Sequence, residues 1–551
     1  MYSNQTDFTN SINKDAKTTA GVYGSTRAAS FIKDAKEGTD YLDVVVIGDS
    51  NALYTSMHGF TSGLTQGLGD LGMYVYATPL FHTSSTDDIN GNNRGGGSMG
   101  VYNSLIWTGR ATLGAGVSGE EDVIYTLEGK ATDDDEYAQN ALEDIGLATM
   151  TAFDTTALGS HLKPHGFTRG TTYVPAGEVW GGFGNGPTIG IGNRSTMIMG
   201  NGLAEQDIQY RVVAYKTTGS NSNRLLHLQV TDADSVNSQL ALASPSNHSA
   251  TAVVETLKLD YTTDIKPTSG AGDNTVAREA YALNFSFDGR GAGNGTQYQI
   301  VGPAVVLGHS VIHKNTPGYS VTNMACQGGK STPQIKTMLD NSPGYVEYIL
   351  KELRERQVEA GGKGRVLVFL NTGILEADTA DPQPYLDALK GITDRFFDTW
   401  TNTLGYDHKE LAFLLTISHP HADVGIEGVF VTENWLTQRP INTAAAVSWA
   451  KENMRDGRGV CFFDIEKVYT GTQLLTEGLF DVTSQSTSTT PSTNCVHLKS
   501  NHNIIFTQTM VVANTAGNLY PQSSHQDLAS QDSGYVRITN KMLSSLIASV
   551  S

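Results

Sequence analysis

The run Asp43-Val-Val-Val-Ile-Gly-Asp-Ser-Asn51 constrains this chain more than any other stretch. It reads as a buried apolar strand that runs into Gly48, turns, and presents Ser50 where a polar, helix-compatible segment begins. A serine placed there has its hydroxyl at a strand's carboxyl end and its N–H at a helix N-terminus, which suits a nucleophile beside an anion site. The competing reading is an ordinary strand-to-helix turn in which Asp49 or Ser50 caps the helix. Which reading holds depends on what else the chain brings to that turn.

A parallel sheet is the setting the nucleophile reading needs, and its rhythm occurs twice. After the strand 42–47 come a helix across 51–69, weakened by its glycines, and the strand-like Met73-Tyr-Val-Tyr-Ala77. From about 310 the rhythm resumes. A helix over 344–357 places Val346, Ile349, Leu350 and Leu353 on one face, and the buried strand Val366–Leu370 follows. A helix over 384–404, whose apolar spacing marks core packing, then precedes the strand Leu411–Ile417, a helix over 442–455, the strand Val460–Asp464 and a terminal helix near 537–548. Strands alternating with helices of this length predict a parallel sheet covered on both faces.

Between about 115 and 309 the texture changes. Short alternating segments such as Tyr210–Tyr215, Leu225–Val230, Val253–Leu259 and Tyr281–Phe287 are separated by Gly, Ser and Asn turns, the pattern of a β-sandwich or jelly roll. The expected organisation is an N-terminal arm over 1–40, a first α/β part over 41–114, an inserted all-β domain over 115–309 and a second α/β part over 310–551. The arm is polar and carries two similar pieces, Asn13–Lys17 and Lys33–Lys36. It is expected to lie outside the main core and to be held by a neighbour in a larger assembly. Segment 84–100 ends in a glycine cluster, but no lysine follows at phosphate-loop spacing, so it reads as a loop.

At 551 residues the chain can bury more than one core. A formal net charge of −19 argues against nucleic acid or an anionic membrane surface as a partner. Only 17% of residues are charged while Gly, Asn, Ser and Thr abound, as in β-rich extracellular or virion proteins. Cys326, Cys461 and Cys495 form no C-x-x-C pair and imply neither a zinc knuckle nor a disulfide framework. The amino terminus has no basic-then-apolar leader, and no run reaches the roughly 18 apolar residues of a membrane span, so a soluble protein without a cleaved signal is expected.

Three blocks, taken in order, resemble those of the SGNH, or GDSL-type, hydrolases. Gly48-Asp-Ser-Asn51 resembles the first. Asn323-Met-Ala-Cys-Gln-Gly328 resembles the second, where the family has an asparagine and, five residues on, a glycine whose N–H helps to bind the oxyanion. Asn494-Cys-Val-His497 resembles the last, usually Asp-x-x-His, shortly before the terminal helix. The resemblance covers roughly 42–80 and 310–550. It implies a flavodoxin-like α/β fold of three layers, interrupted by the all-β insert.

It also implies a chemistry that the residue types support. A serine hydroxyl is a poor nucleophile at neutral pH and needs a base within reach and donors aimed at the oxyanion. His497 is the base that takes the Ser50 proton and returns it to the leaving group. The N–H groups of Ser50 and Gly328 are oxyanion donors, and ester hydrolysis passes through an acyl-enzyme. Two departures stand out. Asn494 can orient the imidazole but brings no charge, a change that costs about 10⁴ in rate in a serine protease. The third block, usually Gly-x-Asn-Asp, is Asn371-Thr-Gly-Ile374 here, so the family's oxyanion asparagine falls on Gly373. Either Asn371 substitutes for it or that donor is absent, and Asn371 is the expected substitute.

Ser418-His419-Pro-His421-Ala-Asp423 resembles a metallo-hydrolase motif, but the histidine that normally follows the aspartate is Val424. The expectation is no metal and no cofactor, with His419, His421 and Asn51 contacting substrate. The predicted function is a serine esterase removing O-acetyl groups from surface polysaccharide as part of a phage virion or tail. Its partners are the acylated polysaccharide and other virion proteins or further copies of the chain. The alternatives are a catalytically weakened glycan-binding virion protein and a metallo-hydrolase using His419, His421 and Asp423.

Overall fold

In the computed structural model of the chain, the continuous apolar runs form the middle of a six-stranded sheet. The structure describes residues 20–49, 51–52, 59–77, 80–82, 304–325, 331–373, 376, 381–420, 433–453, 457–479, 498 and 534–551, together with strands between 105 and 288. The sheet's strands are β1 (Val22–Gly24), β2 (Leu42–Gly48), β3 (Tyr319–Asn323), β4 (Val366–Thr372), β5 (Leu411–Ile417) and β6 (Val460–Phe463). Their spatial order is β1-β6-β5-β4-β2-β3, with β2 to β6 parallel and β1 antiparallel against β6. The five parallel strands, numbered among themselves along the chain, thus stand in the order 2-1-3-4-5 of flavodoxin-like doubly wound sheets.

The helices are α1 (Arg27–Lys36), α2 (Gly59–Asp70), α3 (Thr332–Asp340), α4 (Pro343–Ala360), α5 (Gln383–Asp398), α6 (Glu433–Asn453), α7 (Gly471–Thr476) and α8 (Gly534–Ala548). Every residue of β2, β4 and β5 is buried, as strands covered on both faces must be. Side-chain parity divides the faces. Val44 and Val46 join Phe60, Leu64, Ile538 and Leu543 beneath α1, α2 and α8, whereas Val45 and Ile47 join Leu350, Leu389, Phe396 and Trp449 beneath α4, α5 and α6. Full burial of a side chain such as Leu350 or Phe396 contributes about 1.5–3 kcal/mol. The glycines that weaken α2 on propensity are its contact surface. A Cβ on Gly63 would stand 2.8 Å from the Tyr535 carbonyl oxygen, and one on Gly67 2.7 Å from Asn540 Oδ1, so α2 and α8 approach closely only because both are glycine.

Several expectations are corrected. The segment expected as an arm over 1–40 belongs to the fold from residue 20 onward. There β1 closes one edge of the sheet on β6, and α1 buries Ala28, Ala29, Phe31, Ile32 and Ala35; residues 1–19 lie outside the described residues. The helix expected from 51 begins at Gly59, with Asn51 and Ala52 in a turn. The segment 73–77 is no ladder strand. Val75 bridges to Tyr319 on β3, and Ala77 to Ile312. The helix expected from 442 begins at Glu433 and runs through Pro440. An interior proline costs a helix about 3 kcal/mol. The turn before it is held in place by Arg439, whose guanidinium is anchored to Ser418, His419 and Glu466.

Strands between Phe81 and His313 form two further large sheets with antiparallel pairing. One is ordered Val253–Thr263, Gln206–Lys216, Ala304–His313, Glu178–Trp180, Ile124–Thr126, with Phe81–His82 also on Ala304–His313. The other is ordered Gln239–Ala243, His227–Asp232, Ala280–Asp288, Arg194–Gly200, Leu105–Trp107. The boundaries expected at 115 and 309 are both crossed, since Phe81–His82 and Leu105–Trp107 already belong to these sheets and Ala304–His313 runs past the second. The first of these sheets meets α4 through Arg211, which donates to both carboxylate oxygens of Glu352 at 2.6 and 3.0 Å.

Candidate active site

In a doubly wound sheet the crevice that takes ligands lies outside the carboxyl ends of the strands, where the strand order reverses. Here that point is between β2 and β4. The two strands are in register to their ends, with Gly48 beside Asn371. They meet so closely that a Cβ on Gly48 would stand 1.9 Å from the Asn371 carbonyl oxygen. Only glycine fits where β2 turns out of the sheet.

The turn that follows is built by Asp49. Its Oδ1 accepts the Asn51 N–H at 2.8 Å, and its carbonyl accepts the Ala52 N–H at 3.0 Å. The Phe60 N–H in the first turn of α2 donates to the Asn51 carbonyl at 2.7 Å, so the turn rests on the amino end of that helix. Asp49 is fully buried, and Oδ2 has no hydrogen-bond partner among the described residues. Burial, reinforced by the charge of Glu376, pushes its carboxyl up to about 7 against the opposing pull of the Asn51 hydrogen bond. Glu376, beyond the end of β4, accepts the Thr332 N–H at the start of α3. Ser50 itself lies outside the described residues, between the placed Asp49 and Asn51.

Asn371 donates from Nδ2 to Thr416 Oγ1 on β5 at 2.7 Å, and its Oδ1 is buried without a partner among the described residues. One of its two amide hydrogens is therefore committed inside the sheet. Gly373, where the family's oxyanion asparagine would fall, has φ +97, a left-handed conformation that strains any side-chain-bearing residue. At the end of β3, Asn323 Oδ1 accepts the Ala325 N–H at 2.9 Å, and the Met324 N–H donates to the Val46 carbonyl at 2.7 Å. This fixes the start of the second block beside β2. Gly328 lies outside the described residues, as do His421, Asp423, Asn494 and His497.

His419 follows β5 and is fully buried, its ring edge-on to Tyr535 at 6.3 Å between centroids. The Arg439 guanidinium holds its backbone and that of Ser418. Burial, opposed by Glu466 and Asp464, lowers Arg439 from its ordinary range. Among the described residues no group of three or more His, Cys, Asp or Glu side chains is arranged to hold a metal, and no helix is long and apolar enough to cross a membrane.

Tyr535, in the first turn of α8, ties these pieces together. Its hydroxyl donates to Asn51 Oδ1 at 2.8 Å and accepts the Leu498 N–H at 3.2 Å. Asn51 is the chain neighbour of Ser50 and Leu498 that of His497. Asn51, expected to contact substrate, is fully buried and faces this tyrosine. The sequence pattern gives no hint of Tyr535, because its role exists only through contacts with residues far along the chain. Glu376 belongs to none of the motif blocks either. A carboxylate a few residues past a strand, ahead of the next helix, was the available signal.

A scan against protein-family models matches none, and a search of curated proteins returns no match. Solved structures that match include a peptidoglycan O-acetylesterase, 11% identical over 96% of this chain and 97% of that chain, with a TM-score of 0.41. The enzymatically active domain of tailspike protein 4 of bacteriophage CBA120 is 11% identical over 27% of this chain and 17% of that chain, with a TM-score of 0.14. At such TM-scores, any assignment of function is left to the chain's own residues.

Proposed function

We propose that the chain is a serine carboxyl-ester hydrolase of the SGNH type, with Ser50 as nucleophile and His497 as general base. The observation that carries this reading is the shared Tyr535 hydroxyl, which joins the residue after Ser50 to the residue after His497. Two segments separated by more than 400 residues thereby meet beside the carboxyl end of β2, at the switch point of a 2-1-3-4-5 sheet. A nucleophile and a base held at such a crevice suit acyl transfer. In that reaction His497 takes the Ser50 proton as the hydroxyl attacks the ester carbonyl. The N–H groups of Ser50 and Gly328 receive the oxyanion, with the second Asn371 amide hydrogen as a third donor. The alcohol leaves with the proton, and water, activated by the same imidazole, releases the acid.

The substrate class is an O-acetylated surface polysaccharide, and the setting is a phage particle that trims host glycans. The small share of charged residues, 17%, and the antiparallel sheets formed by strands between 81 and 313 favour this setting over a cytosolic small-molecule esterase. The test is acetate release from O-acetylated polysaccharide and hydrolysis of p-nitrophenyl acetate, by the wild type and by Ser50→Ala. Turnover by the wild type and none by Ser50→Ala supports the reading. No turnover of either substrate by the wild type sinks it in favour of glycan binding without catalysis. Activity that survives Ser50→Ala and is lost on chelation moves the chemistry to the loop carrying His419, His421 and Asp423.

A further inference from the structure

We propose that Tyr535 is a positioning residue for the esterase reaction, its hydroxyl setting the nucleophile turn and the base segment against each other. This rests on the esterase reading above and assigns a role to a residue outside its motif blocks. The direction of each hydrogen bond follows from chemistry. The Leu498 backbone N–H can only donate, so it uses a lone pair on the phenolic oxygen at 3.2 Å. The phenolic O–H donates to Asn51 Oδ1 at 2.8 Å, so the oxygen end of the Asn51 amide faces the tyrosine.

The hydroxyl is itself rigidly held. The Tyr535 ring is fully buried, edge-on to Phe60 at 5.2 Å and to His419 at 6.3 Å. Its backbone is pressed against Gly63, where no Cβ fits. His419 is in turn anchored through Arg439. A buried group held by ring packing and two hydrogen bonds is the kind of support that a catalytic pair needs to stay within a fraction of an ångström of its working geometry. In many serine hydrolases a carboxylate orients the base through its imidazole. This chain has Asn494 at that position, and Tyr535 supplies a second hold on the same segment through the backbone of Leu498.

The experiment is a cycle of Tyr535→Phe, Asn51→Leu and the double variant, with rates counted per active site titrated by a fluorophosphonate. Tyr535→Phe keeps the ring and its packing and removes only the oxygen. Expected is a fall in kcat of about 10- to 100-fold with KM within about twofold, as for a small misplacement of reacting groups. The double variant is expected to be no slower than the slower single one, because each substitution cuts the same link. Amide hydrogen exchange at Leu498 should also accelerate in Tyr535→Phe. A kcat within twofold of wild type, multiplying effects in the double variant, or unchanged exchange at Leu498 overturns the proposal while the esterase reading stands. Absence of turnover and of Ser50 labelling in the wild type overturns both.

Discussion

Strand β2 carries one buried aspartate near its amino end and is followed at once by another, six residues on, and their surroundings are opposites. Asp43, at the amino end, accepts from the Arg356 guanidinium and from the Tyr76 hydroxyl, and Arg356 also donates to Ser320 Oγ at 2.9 Å. Burial raises the Asp43 carboxyl and the Arg356 contact opposes it, while Asp43 holds Arg356 firmly in its charged form. One turn earlier on α4, Glu352 takes both hydrogen bonds from Arg211, so the same helix joins two sheets through paired charges. Asp49, past the carboxyl end, accepts the Asn51 N–H on Oδ1, has no partner on Oδ2 among the described residues, and has Glu376 as its charged neighbour. A buried carboxylate matched by an opposite charge holds a fold together, and one set beside a like charge is the kind of group found where chemistry is done.

The largest expected effect falls at the unmatched end. Ser50→Ala should lower esterase turnover by about 10⁴-fold or more with the melting temperature hardly moved, as loss of a nucleophile does. At the matched end, Arg356→Met should leave Asp43 buried and uncompensated and cost about 3–5 kcal/mol in denaturant unfolding, with the rate per folded molecule unchanged. An equal loss of stability from both substitutions would erase the contrast.

Asp49 sharpens it further through pH. Its folded value of about 7 lies above its ordinary 3.8, so the folded state holds an extra proton between those limits. The stabilisation from that proton is fully present below about pH 4, declines as the pH rises through 7, and is absent above; it amounts to a few kcal/mol at most. Thermal melts of the wild type and of Asp49→Asn from pH 4 to 9 should diverge over that window, the variant lacking this decline. The smallest effect is expected at the exposed face of α8. There Arg537→Gln breaks a half-exposed pair with Glu477 at 3.0 Å and should change stability by about 0.5 kcal/mol or less.

What was legible in the sequence was what local pattern determines. β2, β4 and β5 are unbroken apolar runs, and α4 and α5 carry helical spacing, so their type and near limits follow from composition along the chain. β1 has three residues and exists only by pairing with β6, so no window of sequence announces it. The apolar face of α1 was present in Phe31, Ile32 and Ala35 but hidden by the lysines around it. Pro440 masked the first turns of α6, which tertiary anchoring of Arg439 sustains. At the site, the Gly48–Asn51 turn was legible because a glycine is sterically required there. Tyr535 was not, because a hydrogen bond between residues 484 positions apart leaves no trace in either neighbourhood.

The central claim is that Ser50 and His497 work in one site. The most direct measurement is the rate at which a fluorophosphonate labels Ser50, with the modified peptide identified by mass spectrometry, in the wild type and in His497→Ala. The account predicts stoichiometric labelling of Ser50 in the wild type and labelling at least about 10³-fold slower without the imidazole. Labelling of Ser50 at equal rates in both proteins, or at no measurable rate in the wild type, would contradict it.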